Sequence, residues 1–179
     1  MQAKDILHFW FEELTDKQHF VKDAALDELI RTRFGTTLEA AARCELFAWR
    51  SAPEGRLAEI IVLDQFSRNI YRDTPRAFAQ DSLALALAQV LVASGQDQLL
   101  SPTQRRFAYM PYMHSESALI HAQTVQLFAQ AGLENGLDFE LRHQVIIDRF
   151  GRFPHRNALL GRASTAEETA FLSEPGSSF

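Results

Sequence analysis

Arg152, Arg156 and Arg162, with His155 among them, crowd the stretch FGRFPHRNALLGRAST (150–165), which contains no acid in a chain whose net charge is −5. Arg149 stands just before it, and Phe150, Phe153 and Pro154 interleave the cations. Guanidinium groups donate paired N–H bonds that match a carboxylate or a phosphate. An earlier segment has the same character. Asp64-Gln65-Phe66-Ser67-Arg68-Asn69-Ile70-Tyr71-Arg72 follows Ile-Val-Leu, and Asp148-Arg149-Phe150-Gly151-Arg152-Phe153-Pro154-His155-Arg156 follows Val-Ile-Ile. Both fit D-x-F-[SG]-R-x-x-[YH]-R after an apolar triplet.

A continuing helix in the first copy would line Asp64, Arg68 and Arg72 along one face, widened by Gln65 and Asn69. Acid before cation at this spacing contributes only ~0.2–0.5 kcal/mol on an exposed surface. In the second copy Pro154 replaces Ile70, so the helix should end nearby and Arg156 need not share a face with Arg152. Two readings follow. In one, each Asp pins an Arg as a strut between helices. In the other, Arg68, Arg72, Arg152 and Arg156 surround an anion, a small molecule or a peptide carboxylate, and Asn69, Tyr71 and Asn157 orient it. Nucleic acid is a weaker third partner, because the chain is acidic and carries no recognised module.

A second chemical candidate is His114-Ser115-Glu116. His114 or His155 could act as acid/base, with Glu116 as orienter and the arginines stabilising charge. Ser115 reads more simply as a helix N-cap. His143, amid Phe139, Val145, Ile146 and Ile147, reads as a hydrogen-bonded core histidine. There is no HExxH, EF-hand, Walker A or Rossmann pattern, so no metal or cofactor is expected. Cys44 is the only cysteine and reads as a small core filler. The N-terminal MQAKDILHFWFEEL has neither a signal peptide nor a membrane span. A reduced, cytoplasmic protein without membrane association is expected, and no motif fixes an oligomeric state.

The elements that must position these groups are helical by their spacing. Apolar residues recur at three- and four-residue steps over 4–14, 24–34 and 36–51, with Gly35 as a stop. Pro53 and Gly55 mark a turn before a helix over 56–72. Thr74-Pro75 begins the next, to about 93, and Ser101-Pro102 another, which Pro111 should end or kink at about Met110. Further helices cover 115–131 and 137–150. Ser164 with Glu167 forms a capping box before a last helix over 165–173. The reading is an all-α fold, a single domain over 1–179 with a loose tail from 174. It comprises eight to nine helices in an array of antiparallel hairpins.

ILHFWFEEL, LDQFSRNIYRDTPRAFAQD (63–81), RRFAYMPYMHSE (105–116) and RFGRFPHRNALLGRASTAEETAFL (149–172) resemble the bacterial family called domain of unknown function 924. The resemblance spans essentially the whole chain. It implies an all-α, tetratricopeptide-repeat-like array of hairpins, and it brings no activity, cofactor or catalytic set. Ser67 and Asp73 stand where the pattern leads one to expect Pro and Gly.

Overall fold

The computed structural model describes residues 1–177. Its regular elements are helical throughout: α1 Ala3–His8, α2 Ala24–Ala42, α3 Pro53–Ile61, α4 Ser67–Ile70, α5 Asp81–Ala93, α6 Pro102–Met113, α7 Ala118–Phe128, α8 Glu134–Phe150 and α9 Ala166–Phe171. No strand occurs among the described residues. A π-helical turn, Phe9–Glu13, prolongs α1, and a second, Val62–Phe66, joins α3 to α4. Residues 178 and 179 of the expected loose tail lie outside the described residues. Within its nearer part, Ser177 Oγ donates to the Leu172 carbonyl at 3.2 Å.

α2 shows how the pattern becomes packing. Asp23 caps it by accepting from the Ala25 and Leu26 amides. Leu26, Ile30, Phe34, Leu38 and Ala41 then form one buried stripe. That stripe runs straight through Gly35, so the expected stop there is absent. An internal glycine costs about 1 kcal/mol, which the continuous burial on both sides outweighs. The helix ends at Ala42 instead, and the 36–51 helix is divided. Cys44 sits exposed in the turn beyond, at φ 58°, not in the core. Residues Phe47–Ser51 form a separate 3₁₀ turn.

The aromatic centre ties the N-terminal half together. Phe34 stacks on Phe66 at 5.0 Å, and Trp10 lies 5.6 Å from both Phe66 and Phe107. From α5 onward each long helix packs against the next, α5 on α6, α6 on α7 and α7 on α8. A side chain at Gly136 would collide with the Phe128 ring, so this glycine permits the close α7–α8 contact. Ile146, Ile147 and Phe153 form a smaller apolar cluster at the end of α8.

Several boundaries shift for local reasons. Pro53 is the first residue of α3, not a turn before it. α6 begins at a Ser101–Gln104 capping box and passes Pro111 to reach Met113. Pro111 lies in the last turn, where the missing N–H costs one bond, and its neighbours Met110, Tyr112 and Met113 are buried. α7 starts after Ser117, two residues past the expected cap and without a side-chain capping bond, and α9 is capped by Thr165, paired with Glu168, one residue later than the spacing suggests. Pro75–Phe78 is only a 3₁₀ turn, and α5 starts at Asp81. That break brings Phe78 and Asp81 to the site described next.

Candidate functional site

The site begins in the π turn. A π turn places one extra residue in the helical circuit, a device found often at functional sites. Asp64 sits in its middle with its side chain 1% exposed. Its carboxylate accepts from Gln65 Nε2 at 2.5 Å, Arg68 Nη1 at 3.0 Å and His114 Nδ1 at 2.7 Å. Arg68 then spans outward. Its fork donates to both oxygens of Asp81, at 2.9 and 3.0 Å, while Nη1 also reaches the Asp64 carbonyl. Arg156 Nη1 donates to the same Asp81 at 3.3 Å. His114, Asp64, Arg68, Asp81 and Arg156 are thus one unbroken chain of hydrogen bonds, and Asp81 joins the two sequence copies.

Arg156 arrives there because α8 stops. Gly151 takes φ 67° at its C-cap, and Pro154–Arg156 forms a 3₁₀ turn that folds back. The Arg156 guanidinium lies 4.6 Å from the centroids of both Phe78 and Phe153. Its side chain is 8% exposed. Nε is buried without a partner, and Nη2, also unpartnered, touches solvent. Burial, reinforced by Arg68, lowers this guanidinium to about 10. Burial would raise the Asp64 carboxyl, but Arg68 and His114 hold it below the usual range. Burial and Arg68 lower His114 despite the pull of Asp64. His155 is lowered to about 4, by burial first and then by Arg156, so it is neutral at pH 7.

The remaining expected residues go elsewhere. α4 ends at Ile70 and Tyr71 leaves the helical region, so Arg72 departs from the Asp64–Arg68 stripe. Its fork closes on Asp27 at 2.5 and 2.7 Å, joined there by Asn69 Nδ2 at 2.8 Å. Tyr71 accepts from Arg76 Nη2 through its hydroxyl. Arg152 donates twice to Glu168, at 2.7 and 2.8 Å, and once to the Ala163 carbonyl. Arg68 and Arg156 therefore meet, while Arg72 and Arg152 are each closed by a separate acid. Four arginines do not surround one point.

Glu116 is not the orienter of His114; Asp64 is. His114 is the C-cap of α6, and Glu116, two residues past it, turns to the 153–164 loop. It accepts the Phe153 amide at 2.7 Å and the Arg162 fork at 2.6 and 2.9 Å. Arg162 Nε donates to Asn157 Oδ1, and Asn157 Nδ2 donates to Ser164 Oγ. Asn157 is thus part of the loop's anchor. Ser115 caps nothing; its carbonyl accepts from His121 Nε2 at 2.8 Å. That leaves His121 Nδ1 and Glu140 Oε1, 2.7 Å apart and fully buried, sharing a proton. Burial raises Glu140. His143 Nδ1 donates to the Phe139 carbonyl at 2.7 Å, and burial lowers this ring to about 3.

Asp81 and Phe78 are the residues that sequence reasoning missed. The available signal was an acid at a helix start following a proline turn. No helix among the described residues is long and apolar enough to cross a membrane.

The model of the family described as "Bacterial protein of unknown function (DUF924)" matches residues 6–176. A solved structure of a protein of unknown function, ATU0120 from Agrobacterium tumefaciens, is similar at 37% identity, covering 96% of each chain with a TM-score of 0.87. Among proteins of curated function, none matches this chain.

Proposed function

The chain belongs to the DUF924 family of bacterial proteins of unknown function, and we propose that it binds the carboxylate of a small molecule or of a peptide at the Arg156 end of the cluster. One observation carries this reading. Arg68, Arg72 and Arg152 each have a carboxylate on their fork, whereas Arg156 shares one acid through a single 3.3 Å contact. A buried donor left unpaired costs about 1–3 kcal/mol, more when charged. An arriving carboxylate would pair the solvent-touching Nη2 and bring an acceptor to a guanidinium whose Nε is buried and unpartnered. Asp64 and Asp81 already offset the charges of Arg68 and Arg156, so a singly charged carboxylate costs less here than a phosphate dianion.

A reduced cytoplasmic setting belongs to the same reading, supported by the lone cysteine. So does a tetratricopeptide-like order of hairpins, supported by the stepwise packing of α5 through α8. The test is thermal unfolding in succinate or acetate against chloride at matched ionic strength. A ligand at tenfold its Kd should stabilise by about 1.4 kcal/mol. Arg156→Gln should abolish the shift, and Arg152→Gln should keep it. If the wild-type protein shows no shift, the polar network is structural alone.

A further inference from the structure

At the other end of the hydrogen-bond chain from Arg156 stands an imidazole that anion binding does not use. Asp64 is an ionised acceptor, so His114 Nδ1 must carry the proton in their 2.7 Å bond. In the neutral ring that leaves a lone pair on Nε2. Nε2 makes no hydrogen bond with the protein and is not among the enclosed polar atoms. Asp64 itself cannot swing away, because Gln65 and Arg68 hold its two oxygens from either side. An imidazole oriented through Nδ1 by a buried carboxylate, with Nε2 open to water, is arranged to accept a proton.

We propose that His114 is the general base of a hydrolytic site, positioned by Asp64, and that its substrate is an ester or amide bearing a carboxylate that Arg156 holds. This rests on the carboxylate reading above. His114 Nε2 takes a proton from water as the water oxygen bonds to the acyl carbon. The bond from that carbon to the leaving oxygen or nitrogen then breaks, and the imidazolium returns its proton to the leaving atom. The net change is one water consumed, with an acid and an alcohol or amine released.

The probes are the mono-4-nitrophenyl esters of succinate and glutarate, with neutral 4-nitrophenyl acetate for comparison. The wild-type protein should release nitrophenolate faster from the charged esters. kcat/KM should rise with pH through one ionisation below the ordinary histidine value and then level off. His114→Gln should lower kcat by about 100-fold or more while KM holds. Arg156→Gln should raise KM about tenfold for the charged esters and so remove their advantage over the acetate ester. Asp64→Asn could unfold the protein, so the wild-type ¹⁵N spectrum of His114 supplies the second measurement, with Nδ1 expected to be protonated. Three results overturn the proposal: a proton on Nε2, an esterase activity that His114→Gln retains, or charged esters hydrolysed no faster than in buffer. If any of these occurs while succinate still raises the melting temperature, carboxylate binding stands without catalysis. If succinate gives no shift, the binding reading fails as well.

Discussion

In the first copy of the repeated segment, Asp64 and Arg68 stay one turn apart on a continuous helix, and both are tied into the buried network. In the second, Asp148 faces solvent without a hydrogen bond, and Arg152 and Arg156 separate beyond Gly151. The charged letters are nearly the same, so charge does not explain the difference. Two backbone substitutions do: Gly151 in place of Ser67 and Pro154 in place of Ile70. The first copy became a strut with its own counter-ions. The second became a loop that delivers one incompletely satisfied cation to that strut. A motif read as charge pattern alone misses which member is spare.

The comparison breaks most sharply at Arg68. Arg68→Ala would leave Asp64 and Asp81 facing each other with their main counter-ion gone. Removing one partner of a buried pair costs about 3–5 kcal/mol, readable as a lowered urea midpoint. Asp148→Asn, the equivalent change to the second copy's acid, should stay within about 0.5 kcal/mol. Equal losses at the two positions would erase the distinction.

Next in size is the response to acid. His143 and His155, lowered to about 3 and about 4, remain neutral in the folded protein while an unfolded histidine takes up a proton near 6.5. Depressed histidines contribute stability that is complete above 6.5 and is lost as pH falls toward the folded values. Each unit of difference is worth about 1.4 kcal/mol. Glu140, raised by burial, opposes this loss as pH falls toward its unfolded value. The lowered carboxyls Asp64, Glu116 and Glu168 act in a more acidic window. Urea unfolding between pH 7 and 4.5 should therefore lose stability less steeply in His155→Gln than in wild type. A parallel slope would mean that the second copy does not hold a neutral imidazole.

The smallest effect tests the breaker itself. Gly151→Ala forces a side chain into left-handed backbone at φ 67°, for about 1–2 kcal/mol. Nothing lies within 4 Å of the new methyl, so the cost is conformational. Stability should fall by that amount with the Asp64–His114 bond intact, as the His114 ring resonances would report.

Much of the fold was legible because burial follows helical spacing, as Leu26, Ile30, Phe34 and Leu38 do without interruption. Gly35 misled because a glycine signals a stop only where the chain needs a positive φ, and packing removed that need. In the site, Asp64, Arg68, His114, His155 and Arg156 were visible by residue type. Their partners were not. Asp27 lies 45 residues from Arg72 and Asp81 lies 75 from Arg156, separations that no local pattern encodes. Glu116 was misassigned because nearness in sequence stands for nearness in space only within one regular element, and α6 has already ended at Met113.

The π turn at Val62–Phe66 has a consequence for how the protein can vary. It amounts to a single inserted residue held within an otherwise regular α3–α4 rod. Point substitutions leave the chain length unchanged, so the surplus residue persists through them. Deleting one residue from this turn would restore ordinary pitch and leave the flanking segments near their present register, while the side chains inside the turn, Asp64 among them, would be re-aimed. The helix would survive such a deletion better than Asp64's alignment with His114 would, so this site is more sensitive to length than to spelling.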